Sequence, residues 1–340
     1  MKTQPKKATI TETIIEAPTT PEEEKLLTSL RASSWIEFAG QDQTKRALKI
    51  AIAAAKKRGE SLEHILLYGP PGLGKTTLAH LIGKEMGVNV RVTSGPAIER
   101  AGDLASILTN LSKHDILFID EIHRLNKVVE ETLYPAMEDS ALDIVIGKGP
   151  SARTLRLDLP PFTIIGATTR AGLLSAPMRD RFGVIQRLCY YDPPEISFIL
   201  KQAAEKLGIP IDEKATKELS LRSRGTPRIA LRLLKRCRDM AQVEGNDVID
   251  QSIVEKSLRL LGVDTLGLDE SDLRFLRIVI EKFEGGPVGI ETIAAALSED
   301  VGTLEEIIEP FLLQLGMIKR TSRGRIITDT AYTHIGAKRK

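Results

Sequence analysis

Residues 64–77 read HILLYGPPGLGKTT: a short apolar run, a glycine-rich turn, and the start of a helix-forming stretch. Gly69 to Thr76 matches GxxxxGK[ST], and a strand before it with a helix after it is the context that the motif requires. The glycines let backbone N–H groups turn inward around phosphates, and the following helix presents its positive end to them. In that arrangement Lys75 reaches the β and γ oxygens and the Thr76 hydroxyl ligates Mg²⁺, so the chain is expected to take ATP with Mg²⁺.

Outward from this stretch, VNVRV (88–92), DILFID (115–120), FTIIGATT (162–169) and VIQRLCYY (184–191) alternate with helical segments. Short runs that are apolar throughout read as parallel strands buried on both faces, joined by crossover helices, which predicts an α/β sheet. The run ILFIDE ends in Asp120 and Glu121 at the carboxyl end of its strand, where ligands collect in open α/β sheets. Asp120 suits the metal's water shell, and Glu121 suits the water that attacks a γ-phosphate. His123 follows them and reads more readily as a polar contact at a helix start than as a catalytic group. Thr168 and Thr169 end a neighbouring strand as hydroxyls able to sense that phosphate. Arg179 and Arg181 lie just before Gly183 on a polar segment. An arginine there is either a surface ion-pair partner or a finger reaching into a neighbour's site.

LDIVIG (142–147) and RTLRLDL (153–159) flank the Gly-Pro turn KGPSA (148–152) and predict an inserted β-hairpin. It reads either as an edge hairpin packed on its own domain or as an apolar arm that docks another protein. Four helices follow, near 193–207, 212–221, 227–243 and 249–261, as a small all-helical domain. Arg228 falls in the first turn of the third, where a cation opposes the macrodipole and an anion such as a nucleotide phosphate would relieve it. Helices near 270–283, 290–297 and 303–315, then MIKRT and RIIT around Ser322-Arg323-Gly324, predict a winged helix.

The chain has 340 residues, 42% hydrophobic and 28% charged, which excludes a single small module and a disordered chain. A net charge of +2 hides a split: residues 264–312 carry 12 acidic and 3 basic residues, and 313–340 carry 1 acidic and 7 basic. The helix 303–315 brings Glu305, Glu306 and Glu309, so it is expected not to read bases. The wing brings Lys319, Arg320, Arg323 and Arg325, suited to sequence-independent contact with the DNA backbone or minor groove. Cys189 and Cys237 suggest neither a disulfide framework nor a zinc site and read as core or near-core thiols. The first 25 residues lack the apolar stretch of a signal peptide, and no long apolar run occurs, so a cytoplasmic protein with no membrane segment is expected.

LLYGPPGLGKTTLA, LFIDEIHRL, LYPAMED, the hairpin IVIGKGPSARTLRLDLPPFT, GATTRAG, RDRFG, GTPRIA and RTSRGRIIT together closely resemble the RuvB family, bacterial Holliday-junction branch-migration motors of the AAA+ class. The resemblance covers about residues 26–336. It implies a tail (1–25), a large AAA+ ATPase domain (26–192) carrying the hairpin 142–159, a helical lid (193–262) and a winged-helix DNA-binding head (263–340). It places Leu30 and Arg31 at the adenine, and Gly72, Lys75, Thr76 and Thr77 at the phosphates. Glu138, Asp139 and Ser140 match a nucleotide-contact turn, Thr169 the phosphate sensor, and Arg181 the finger acting across subunits. Tyr191 and Arg228 complete the pocket, and Arg320 with Arg325 contact DNA. Ala32 and Ser140 depart from the family's usual proline and aromatic residue.

The function so implied is ATP-driven branch migration of Holliday junctions in recombination and repair, by a homohexamer around double-stranded DNA. RuvA docks on the hairpin, and the RuvC resolvase is a further partner. A clamp-loader ATPase fits less well, because its C-terminal part would be a helical collar. A nucleotide-gated DNA switch would need neither Glu121 nor a finger.

Overall fold

The computed structural model describes residues 21–146 and 153–339. Most of the expected tail and the turn 148–152 lie outside the described residues. The chain forms two compact units: Arg31–Ile199 with Thr226–Arg228, and Leu200–Gly225 with Ile229–Lys340 and the segment up to Leu30.

The strands are β1 (Ile65–Tyr68), β2 (Val90–Ser94), β3 (Ile116–Asp120), β4 (Ala141–Ile146), β5 (Arg153–Asp158), β6 (Thr163–Thr168), β7 (Val184–Arg187), β8 (Ile318–Thr321) and β9 (Gly324–Ile327). In the first unit β2-β3-β6-β1-β7 make one parallel sheet. Central β3 and β6 and most of β1 are buried, as their apolar runs predict. The outer strands β2 and β7 are not. They alternate or expose side chains, with Val92 and Ile185 open to solvent, because an edge strand has a neighbour on one side only. The expectation of burial on both faces therefore fails for these two.

One face of the sheet carries Leu66, Leu117, Ile119 and Ile164 against Leu104 and Leu108 of the helix Ala101–Thr109 and Val129 and Leu133 of the helix Lys127–Asp139. Each such fully buried side chain contributes about 1.5–3 kcal/mol by leaving water. Register fixes the site: Tyr68 lies beside Thr168, so the loop after β1 and the hydroxyls ending β6 emerge together.

The hairpin forms as expected: β4 and β5 pair antiparallel as a separate two-stranded sheet. Its base is rooted, since Leu142 and Leu159 are buried and Leu157 packs on the same core, whereas Leu155 stands exposed further out. Cys189 is exposed, contrary to expectation, because it follows the edge strand β7; Cys237 is buried. Residues 21–25 also depart from the expected tail. They belong to the helix Pro21–Ser29.

The second unit contains Glu213–Arg222 and Gln251–Leu260, each begun by an aspartate cap: Asp212 accepts from the Ala215 N–H and Asp250 from the Ile253 N–H. It continues with Glu270–Phe283 and Ile290–Leu297, around a core of Phe275, Leu276, Ile293, Leu297, Leu312 and Met317. The expected helix 303–315 is not a simple α-helix. Val301–Thr303 runs into a π-turn, Leu304–Ile308, and only then into Glu309–Gln314. Pro310 has no N–H to give and its ring crowds the carbonyl of Glu306, so the ladder widens there. β8 and β9 form the wing, and a helix the sequence reading missed, Asp329–Ile335, closes the unit by burying Ala331 and Tyr332. Among the described residues no helix is long and apolar enough to cross a membrane.

Candidate functional site

The loop after β1 is built by glycines in left-handed or crowded conformations that would strain any other residue. Gly69 sits at φ 141° with the Leu188 carbonyl 2.4 Å from where a Cβ would be. Gly72 sits at φ 76°, where a Cβ would lie 2.8 Å from Thr226 Cγ2 and 2.9 Å from Arg228 Cβ. Gly74 precedes the helix Lys75–Met86 at φ 97° and supplies no side chain to cap it, leaving the first N–H groups for a ligand.

Lys75 is buried, and its Nζ donates to the carbonyls of Gly69 (2.8 Å) and Pro70 (2.9 Å). Burial lowers this ammonium to about 8 against the pull of Asp120 and Glu121, with Arg228 pushing the same way as burial. Asp120, Glu121 and Arg228 are thus all within electrostatic reach of Lys75. The Arg228 N–H donates to the Gly72 carbonyl and the Tyr191 hydroxyl to the Leu73 carbonyl (3.0 Å), so both expected pocket residues meet the loop. Burial raises the Tyr191 phenol above its ordinary range.

At the end of β3 the Glu121 N–H donates to Asp120 Oδ1 (3.0 Å), and Glu121 takes the left-handed conformation, φ 49°. Its Oε2 lies 3.4 Å from His123 Nε2, and His123 Nδ1 lies 2.9 Å from the Thr168 hydroxyl. His123 therefore links two adjacent strand ends, a role its place in the sequence does not reveal. The Thr169 hydroxyl is buried and has no hydrogen-bond partner among the described residues. Positive-φ glycines, open helix N–H groups, a buried ammonium, a carboxylate pair and an orphan hydroxyl together fit a nucleoside triphosphate and its divalent ion. Thr76 and Thr77 open the helix beside Lys75. Arg31 is near the same helix, since after burial its charge is what lowers the His80 imidazole. Leu30 is buried and groups with the second unit.

Arg181 is held in place. Its Nη2 pairs with Glu138 Oε1 (2.8 Å), its Nη1 donates to the Pro177 carbonyl (2.6 Å), and its guanidinium lies 4.1 Å from the centre of the Tyr134 ring. Asp139 pairs with Arg156 of the hairpin (2.7 Å), and Ser140 ends its helix at φ 51°. The structure thus gives Glu138 and Asp139 arginine partners.

In the wing, Arg325 is only 8% exposed, and its fork binds Glu309, itself 2% exposed. That differs from the expected free DNA contact: Arg325 faces inward from β9, where its charge needs a partner. Arg320 is exposed and bonds Glu305 (3.1 Å), while Lys319 and Arg323 are exposed.

Comparison with known proteins gives three consecutive matches. Residues 30–188 match the Holliday junction DNA helicase RuvB P-loop domain, 191–264 the RuvB AAA lid domain, and 265–336 the RuvB C-terminal winged helix domain. The solved structure of the Thermotoga maritima RuvB Holliday junction branch migration motor is 50% identical, with TM-score 0.84, covering 91% of this chain and 99% of that one. A point mutant of the same Thermotoga maritima protein matches at 50% identity and TM-score 0.85 over the same shares.

Proposed function

The chain belongs to the RuvB family of Holliday junction branch-migration motors, and from that membership we propose how its residues do the work. It is an ATP-hydrolysing motor that migrates Holliday junctions in recombination and repair. ATP enters with its phosphates on the N–H groups of the Gly69–Thr77 turn, where Lys75 exchanges its two carbonyl partners for phosphate oxygens. Thr76 and Asp120 would hold Mg²⁺, which would supply positive charge to offset that of the phosphates. Glu121 orients a water and takes its proton as that oxygen bonds to the γ-phosphorus. The bond to the β-phosphate oxygen breaks, giving ADP and inorganic phosphate. Thr169 hydrogen-bonds the γ-phosphate, Tyr191 and Arg228 close the pocket, Leu30 and Arg31 flank the adenine, and Arg181 completes the site of a neighbouring subunit. Glu138, Asp139 and Ser140 would then belong to the face that the finger presents.

The working form is a homohexamer around duplex DNA, in the bacterial cytoplasm, with RuvA on the hairpin and RuvC as a further partner. Arg320 and Arg323 touch the DNA backbone, with Arg325 behind them. The observation that best supports hydrolysis over a passive switch is Glu121 fixed by His123 beside the buried Lys75. ATP turnover with and without duplex DNA, on wild type, Arg181→Ala and Arg320→Ala, tests it. Stimulation by DNA is expected, abolished turnover in Arg181→Ala, and loss of stimulation alone in Arg320→Ala. Negligible turnover in wild type under every condition would overturn the motor reading in favour of the switch.

A further inference from the structure

Arg181 ends a helix of five residues, Ala176–Asp180, too short to fix a long flexible side chain by itself. What fixes it is one face of the helix Lys127–Asp139. Glu130, Tyr134 and Glu138 stand at successive four-residue steps, so their side chains line a single stripe. The Tyr134 ring lies under the guanidinium at 4.1 Å from its centre, and Glu138 takes one of its nitrogens. The Tyr134 hydroxyl donates to Glu130 Oε1 at 2.6 Å and lies 3.2 Å from the Ser175 hydroxyl. Ser175 donates to that same Glu130 oxygen and caps the arginine's own helix, accepting from the Met178 N–H at 3.2 Å. One carboxylate therefore indexes both the ring and the helix that carries the arginine.

We propose that Tyr134, anchored by Glu130, is a positioning residue for Arg181, and that Glu138 is the arginine's resting counter-ion. This rests on the reading of Arg181 as a finger that acts in a neighbouring subunit's site. A ring under a guanidinium limits where the group can sit, and the Nη2 edge, paired only with Glu138, is the one an anion can take over. Glu138 is half-exposed and monodentate, so a phosphate carrying more charge displaces it without moving the guanidinium off the ring. No property of a ring assembly is needed to see the cradle; it is complete within one chain.

The test measures steady-state ATP hydrolysis by the full chain on duplex DNA. Tyr134→Ala is expected to lower kcat about tenfold or more while leaving the KM for ATP within about twofold, since a misplaced group costs rate and not binding. Tyr134→Phe keeps the ring and should recover most of the loss; Tyr134→Leu keeps bulk without a π face and should not. If Tyr134→Ala fails to fold, the Phe and Leu pair carries the comparison. Lys75→Ala subunits bring an intact Arg181 but an empty pocket, so mixing them with Tyr134→Ala subunits should raise turnover above that of either alone. Unchanged turnover in both Tyr134→Ala and Tyr134→Leu, with Arg181→Ala inactive, overturns the positioning role. So does failure of the mixture to rescue, which marks damage to the variant's own pocket. Full turnover in Arg181→Ala overturns instead the finger reading on which the inference stands.

Discussion

Arg325 and Glu309 form a bidentate pair, Nε to Oε1 at 2.6 Å and Nη2 to Oε2 at 3.1 Å, with almost no solvent at either side chain. Removing Arg325 leaves the buried Glu309 with only the exposed Arg320, at 3.7 Å, as a cation partner, which costs up to about 3–5 kcal/mol. Arg325→Ala should therefore destabilise the winged-helix region by that order in denaturant unfolding. Arg320, more than half exposed, should cost under about 1 kcal/mol when replaced by alanine. Equal unfolding of the two variants would contradict the assignment of Arg325 as a brace.

His123 holds Glu121 from one side and Thr168 from the other. His123→Ala should leave ATP binding in place and lower single-turnover hydrolysis by about 10–100-fold, as a loose base loses its near-attack geometry. Full chemistry with weakened binding would place His123 in the binding pocket instead.

Gly72→Ala puts a Cβ on a left-handed residue and against Thr226 and Arg228, so the loop must distort where the phosphates sit. ATP affinity, followed by titration, should fall by about tenfold or more. Gly102→Ala, in a helix and with nothing near its Cβ, should leave affinity unchanged.

Asp272 is fully buried, between Arg224 Nη2 at 2.7 Å and the Asp269 backbone N–H at 3.0 Å, with its other oxygen unpartnered among the described residues. Burial outweighs the attraction of Arg224, with the Asp269 carboxylate adding to burial, and pushes Asp272 from 3.8 up to about 7. A carboxylate whose folded pKa is raised holds its proton longer in the fold than in the unfolded chain. Stability is then present at acid pH and is lost as pH rises through that window. Between about pH 5 and about pH 8, Tm should fall by about 2–4 °C more in wild type than in Asp272→Asn. Parallel Tm curves would show that Asp272 stays ionised throughout.

The central strands, the phosphate loop and the carboxylate pair were legible because each is written locally, as an apolar run or a fixed spacing. Which strands lie at the edges was not, since sheet order is decided by pairing, and Val92 looks like any strand valine. Arg320 and Arg325 read alike in sequence. They lie opposite each other across the wing, yet Arg325 turns to Glu309 inside while Arg320 remains exposed. Tyr134 has only its four-residue spacing from Glu130 and Glu138 as a signal, and that spacing suits any helix face. His123 joins two strands distant in sequence, which no local pattern records.

The wing's ion pairs also bear on how firmly one chain grips a duplex. One of its four cations, Arg325, is taken up by the buried Glu309 of its own unit, leaving the exposed Lys319, Arg320 and Arg323 to displace condensed counterions. At about 0.9 per neutralised phosphate, the logarithmic salt dependence of binding would be nearly 3 per chain where four free cations would give nearly 4. Such a hold is weak singly and cheap to release. In the proposed ring, traction along DNA would come from several chains holding at once while one lets go.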